Sequence, residues 1–208
     1  MNFDLSLYLV TDRLLSKGRD MGWIVAEAVK GGVTMVQLRE KDCSTRDFID
    51  LAIQLAEILT GTQVPLIIND RLDVALAADA DGLHIGQNDI TYETARHLLG
   101  YNKIIGLSVE TMEQAEQANL LDVDYIGISP VFSTQTKTDT NTPFGLDGIR
   151  RIASFTKHPT VAIGGIDTGN AQEIIHAGAN GIAVVSAIVS ADSPMLAAQQ
   201  LKNQLKKK

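Results

Sequence analysis

Three side chains spaced two apart, Gln37, Arg39 and Lys41 in the stretch MVQLREKD, pose the first chemical question. A strand turns successive side chains to opposite faces, so these three share one face while Val36, Leu38 and Glu40 take the other. Two cations and an amide gathered in one small volume carry a desolvation cost that an anion offsets. A forked guanidinium beside an ammonium suits a phosphate or diphosphate. The plainer reading is a solvated strand end with local ion pairs.

Carboxylates follow. Asn69 and Asp70 close the apolar run of IINDRLD, and Asp89 follows Gly86 in DGLHIGQND. Each alone reads as a helix cap. Brought together, Asp70 and Asp89 could share a Mg2+, a hard ion usually held by one or two carboxylates plus substrate phosphate oxygens. His84 reads as a satisfied interior residue, because imidazole is not a preferred partner for Mg2+. Ser108, ending IIGLS, can cap or orient. Residues 128–145, ISPVFSTQTKTDTNTPFG, carry neither helical nor strand period, and a long ordered loop in a compact domain is usually functional. Thr134, Thr136 and Lys137 put two hydroxyls and a cation near its start, although a solvated loop is the bland alternative. Gly164 and Gly165 in VAIGGID let main-chain N–H groups approach a phosphate. Val185 and Ser186 in GIAVVSAI lead into a segment that can supply a short helix N-terminus. Phosphate at these two places fits a sugar-phosphate isomerase or epimerase equally well.

Positioning these residues falls to an alternation of elements. Short β-rich runs occupy 5–10, 33–38, 64–68, 82–85, 103–107, 123–128, 160–163 and 181–185. Helical patterns occupy 21–30, 45–59, 72–78, 92–99, 112–120, 147–154, 170–177 and 195–205. Ser44, Thr91 and Thr168 mark helix starts, and Gly31, Gly100 and Gly178 mark ends. Eight βα units of about 26 residues predict a (β/α)8 TIM barrel, one domain over residues 1–208. A doubly wound open sheet is the rival, but the first strand exits as LVTDRLL, without Gly-x-Gly-x-x-Gly. A barrel places its chemistry at the carboxyl ends of its strands, where the polar residues above concentrate.

Composition narrows the function. The chain is 45% hydrophobic over 208 residues, enough for one substantial core. Twenty-five acidic against 18 basic residues give a net charge of -7, and no basic stripe interleaves with aromatics, so nucleic acid is not the expected partner. An anionic substrate must therefore meet a local positive site. Cys43 is the only cysteine, which excludes an internal disulfide and a thiolate metal cluster within one chain. The start, MNFDLSLYLVTDR, lacks the flank of a signal peptide and no run of about 18 uncharged apolar residues occurs, so no membrane partner and a cytoplasmic location are expected. A homo-oligomer is compatible with the sequence, which sets no oligomeric state.

Taken in order, VQLREK, IINDRLDVALAADADGLHIGQND, VFSTQTKTD, VAIGGI and GIAVVSAI resemble the thiamine-phosphate synthase family across nearly the whole chain. The resemblance implies a transferase coupling 4-amino-2-methyl-5-hydroxymethylpyrimidine diphosphate to 4-methyl-5-(2-phosphoethyl)-thiazole, with release of diphosphate. It implies that Gln37, Leu38, Arg39, Glu40, Lys41, Asn69, Ser108 and Lys137 hold the pyrimidine diphosphate, with Arg39, Lys41, Ser108 and Lys137 catalytic. Asp70 and Asp89 would hold Mg2+, and Thr134, Gln135, Thr136, Gly165, Val185 and Ser186 the thiazole phosphate. Ser129 and Ser133 depart from the small residues often found there, such as Gly and Pro. A thiazole tautomerase shares the barrel but generally lacks the complete set of Lys41, Asp70, Asp89 and Lys137. A non-catalytic barrel that binds thiamine intermediates is the rival from another class, and a simple thiazole-phosphate binder needs no Mg2+ site.

Overall fold

The computed structural model describes residues 3–133 and 142–205. Eight parallel strands, β1 (Leu7–Val10), β2 (Met35–Leu38), β3 (Leu66–Asn69), β4 (Gly82–Ile85), β5 (Ile104–Val109), β6 (Tyr125–Ile128), β7 (Thr160–Ile163) and β8 (Gly181–Val184), close into a barrel in sequence order. Closure is made by β1, whose Tyr8 sits opposite Met35 of β2 on one side and Ala183 of β8 on the other. Around them run α1 (Met21–Lys30), α2 (Thr45–Leu59), α3 (Leu72–Ala77), α4 (Tyr92–Leu99), α5 (Met112–Ala118), α6 (Gly145–Phe155), α7 (Ala171–His176), α8 (Ser186–Val189) and α9 (Pro194–Gln204). The expected barrel is therefore present.

Most strands are buried on both faces, as parallel strands covered by helices must be. The two faces feed different cores. Leu7, Leu9, Val36, Leu38, Leu66 and Ile68 point outward and join the helices in the larger cluster. Tyr8, Met35, Ile67, Ile104, Tyr125 and Val161 point inward and fill the barrel. The rings of Tyr8 and Tyr125 meet edge to face, centroids 6.0 Å apart, and His84 stacks on Tyr125 at 5.5 Å. Gly106, opposite Tyr125 in the register, makes this packing feasible, since a Cβ there would collide with the Tyr125 ring.

Helix ends follow local chemistry. The side chain of Ser44 accepts from the Asp47 N–H to start α2, whose Phe48, Ala52, Leu55 and Leu59 then line one buried face. The expected start at Thr168 is displaced: α7 begins after Asn170, whose side chain accepts from Asp167 N and donates to Gly165 O at 2.9 Å. Asn170 thus ties the turn to the β7 exit. Gly31 does end α1, but with φ -78°, a conformation open to any residue. Its reason is space, because a Cβ would fall on the Met195 carbonyl oxygen and 2.7 Å from the Ala198 side chain of α9. Among the described residues, no helix is long and apolar enough to cross a membrane.

Overpacking at such a contact costs about 1–3 kcal/mol. Gly31→Ala is expected to lower the unfolding free energy by that amount in urea titrations. An unchanged midpoint would show that α9 moves aside freely.

Candidate active site

The carboxyl ends of the strands open onto a cavity of about 670 Å³. Its floor includes Tyr8, Gln37 and His84, all inward-facing residues of short strands. Gln37 is 5% exposed and donates from Nε2 to the Tyr8 hydroxyl at 2.8 Å. Arg39 and Lys41 line the same cavity further out, as the alternation along β2 requires. Arg39 Nη1 lies 3.3 Å from Asp12 Oδ2, and Lys41 Nζ donates to Asp70 Oδ2 at 2.7 Å.

The other residues of that stretch turn away. Leu38 is fully buried in the outer core. Glu40 accepts from Arg13 Nε at 2.9 Å, outside the cavity, and its Oε1 is buried without a hydrogen-bond partner among the described residues. The side chains of Leu38 and Glu40 therefore do not join Gln37, Arg39 and Lys41 at the cavity, because the same alternation that brings three in puts these two out.

Asn69, 8% exposed, and Asp70 reach the cavity from the end of β3. Asp70 adopts φ 61°, and Arg71 N donates to Asn69 O at 2.7 Å across it, a tight three-residue turn. A non-glycine residue in this left-handed region costs on the order of 1 kcal/mol or more. The turn sets the direction of the Asp70 carboxylate, which meets Lys41 and Asp89. Burial works to raise the Asp70 carboxyl, but the hydrogen bonds with Lys41 and Asp89 outweigh it and hold it below the usual range. Asp89 goes the opposite way: burial and the Asp70 carboxylate raise it, against the hydrogen bond that Gly86 N donates to its Oδ2 at 2.7 Å. Lys41 thus favours ionised Asp70 while Asp89 is pushed toward its neutral form, and a divalent cation would favour both as carboxylates. Among the described residues no three His, Cys, Asp or Glu side chains gather to hold a metal, so oxygen donors from a ligand would have to complete a site on Asp70 and Asp89.

Ser108, on β5, faces the cavity with Oγ 2.8 Å from His84 Nε2. On the far wall Gly164 and Gly165 have φ 108° and 64°, which glycine alone adopts at little cost, and a Cβ on Gly165 would lie 2.8 Å from Ser133 O. Val185 and Ser186 also line the cavity, where β8 passes into α8. Thr134, Gln135, Thr136 and Lys137 lie outside the described residues. On the side before them Phe132 N donates to Gly164 O at the β7 exit at 3.1 Å, and on the side after them Gly145 N donates to Val131 O at 2.9 Å, which ties the two flanks together.

Tyr8, Gln87 and Glu110 line the cavity and were not anticipated from sequence. Glu110 follows Ser108 by two, so strand alternation carried one step further points to it. Gln87 donates from Nε2 to Ser108 O at 2.6 Å, a tertiary contact with no local signature. Cys43 is partly buried, and burial pushes its thiol up, away from thiolate chemistry.

Residues 7–188 match the family model for thiamine monophosphate synthase. The thiamine-phosphate synthase of Albidiferax ferrireducens is 52% identical over 95% of this chain and 90% of its own. That of Chloroflexus aurantiacus is 49% identical over 96% and 92%. Among solved structures, the thiamine phosphate pyrophosphorylase of Pyrococcus furiosus superposes with a TM-score of 0.88 at 37% identity, covering 97% of this chain and 95% of that one. The orotidine 5'-phosphate decarboxylase of Pyrococcus horikoshii, with a TM-score of 0.68 at 19% identity over 96% of this chain and 98% of its own, shares the fold alone. With the family model spanning the barrel from β1 to α8 and relatives about half identical across it, the chain belongs to the thiamine monophosphate synthase family.

Proposed function

We propose that the chain joins 4-amino-2-methyl-5-hydroxymethylpyrimidine diphosphate to 4-methyl-5-(2-phosphoethyl)-thiazole, giving thiamine phosphate and diphosphate. The observation that carries this reading is one cavity with two unlike walls. Arg39, Lys41, Asp70 and Asp89 crowd one side, and the glycine pair with Val185 and Ser186 forms the other. The charged wall suits a diphosphate with Mg2+, and the main-chain wall suits a monophosphate. Both substrates are small soluble anions, which fits a cytoplasmic enzyme. A sugar-phosphate isomerase needs the second wall and leaves the first without a purpose; diphosphate release separates the two readings.

Asp70 and Asp89 would hold the Mg2+, since their carboxylates meet at the cavity and are hard oxygen donors. When bound, the ion supplies positive charge to the diphosphate oxygens. Arg39 and Lys41 face the same leaving group, and Lys41 exchanges its Asp70 partner for phosphate as substrate enters. The bond from the exocyclic methylene to oxygen breaks with its electron pair leaving on diphosphate. The amino group of the pyrimidine spreads the resulting cation, and the thiazole nitrogen then forms the new C–N bond. Ser108 and His84 do pair at the cavity, but His84 Nδ1 meets the Tyr125 hydroxyl and not a carboxylate, so among the described residues no complete Ser/His/Asp set and no Cys/His pair offers a covalent route. The protein's share is therefore leaving-group stabilisation, alignment and exclusion of water. Lys137, with Thr134 and Thr136, belongs to this set by position in the sequence.

Asp70→Asn and Asp89→Asn are each expected to weaken the apparent Mg2+ affinity at least about tenfold, read from turnover against Mg2+ concentration, with the barrel still folded. Full activity of both at limiting Mg2+ would remove the metal from these residues. Arg39→Ala and Lys41→Ala are expected to raise KM for the pyrimidine diphosphate by about 100-fold while leaving thiazole phosphate binding nearly unchanged. Equal losses for both ligands would point to a folding defect. A strongly electron-withdrawing pyrimidine substituent is expected to slow the chemical step steeply in single-turnover assays, since it destabilises the cation. An unchanged step would favour direct displacement.

A further inference from the structure

Beneath the cavity, five polar side chains form one unbroken line across the barrel. Gln37 Nε2 donates to the Tyr8 hydroxyl at 2.8 Å, and the Tyr8 and Tyr125 hydroxyls are 2.9 Å apart. Tyr125 Oη lies 2.9 Å from His84 Nδ1, and His84 Nε2 lies 2.8 Å from Ser108 Oγ. The line runs from β2 through β1, β6 and β4 to β5. Room is left for it on purpose-sized strands: a Cβ on Gly106 would strike the Tyr125 ring, and one on Gly127 would lie 3.2 Å from His84 Cε1.

Proton counting gives its direction once Gln37 donates through Nε2. With Gln37 donating, Tyr8 oxygen accepts and its own hydrogen is free for Tyr125. Tyr125 then donates to His84 Nδ1, so the imidazole proton sits on Nε2 and is donated to Ser108. The Ser108 hydrogen is left for the cavity. The opposite order, with Gln37 still donating, leaves the Tyr8 hydrogen without an acceptor along the line, at a residue 1% exposed. Burial raises both phenols well above their ordinary range, so each remains a hydroxyl that passes polarity along without ionising.

We propose that Tyr8, Tyr125 and His84 act as a polarity relay that locks Gln37 and Ser108 into opposite hydrogen-bonding senses. Ser108 is held as a donor toward the cavity, and the Gln37 amide keeps its carbonyl oxygen as the acceptor. Tyr125 does not line the cavity and is a positioning residue, acting through His84. The benefit to a ligand carrying a donor and an acceptor on one edge, as an aminopyrimidine does, rests on the function proposed above.

The test on the relay itself uses no substrate, so its outcome is independent of that function. In protein carrying 15N-labelled histidine, in alkaline buffer that keeps the imidazole neutral, the His84 signals are assigned by their loss in His84→Gln. The parent is expected to be the Nε2–H tautomer. Gln37→Glu places a carboxylate that can only accept, so every bond in the line reverses and His84 is expected to become Nδ1–H. Adding Tyr125→Phe cuts the line and is expected to abolish the switch. A bare Nε2 in the parent, a tautomer indifferent to a folded Gln37→Glu protein, or a switch that survives Tyr125→Phe overturns the relay. In steady state, Tyr125→Phe alone is expected to raise KM for the pyrimidine diphosphate about tenfold with the thiazole phosphate KM unchanged. Equal shifts for both substrates would reduce Tyr125 to a packing residue and overturn its positioning role.

Discussion

Closure of the sheet is the constraint on which the site depends. Because β1 pairs with both β2 and β8, no strand edge is left open and all eight carboxyl ends face one rim. Side chains that are remote along the chain then become neighbours or face one another: Lys41 touches Asp70, and Gln37 on β2 is linked to Ser108 on β5 through the barrel interior. Closure also forces each short strand to serve two cores at once. Along β2 the inward set becomes polar as it leaves the barrel, and the outward set stays packed until Glu40, which binds Arg13.

Electrostatically, the site is built around exchange. Arg39 and Lys41 both have carboxylate partners, Asp12 and Asp70, so neither cation is left exposed at full strength. On the function proposed above, incoming anions would replace these partners, and the released carboxylate charge would need a counter-ion in turn. Such a coupling would join anion and metal binding more firmly than two separate sites would be joined. With a net charge of -7 on the chain, attraction of an anion is confined to this short range.

The sequence was legible where a property repeats locally. The bounds of α1, α2, α4, β4 and β7 were met residue for residue, because cap residues and apolar period mark them. Gln37, Arg39 and Lys41 were readable for the same reason, since a period of two needs no knowledge of the rest of the chain. What was hidden depends on partners far away. Tyr8 reads as one more apolar residue in LYLV until Tyr125 is set opposite it, 117 residues later. The Asn170 turn was missed because its acceptor, Gly165 O, is a loop contact and Thr168 offered the commoner signal. Leu38 and Glu40 came in with the family stretch, although alternation alone already turned them outward.

The fit of Tyr125 against Gly106 also limits the order in which substitutions can accumulate. The two residues face each other on adjacent strands, and the ring occupies the space a side chain at 106 would need. A lineage can acquire bulk at 106 only after giving up the ring at 125, and the intermediate then carries a void inside the barrel. Reversal meets the same barrier from the other side. The steric fit thus favours inheritance of the pair as a unit, and a descendant that lost it would have to rebuild the barrel floor by a different set of side chains.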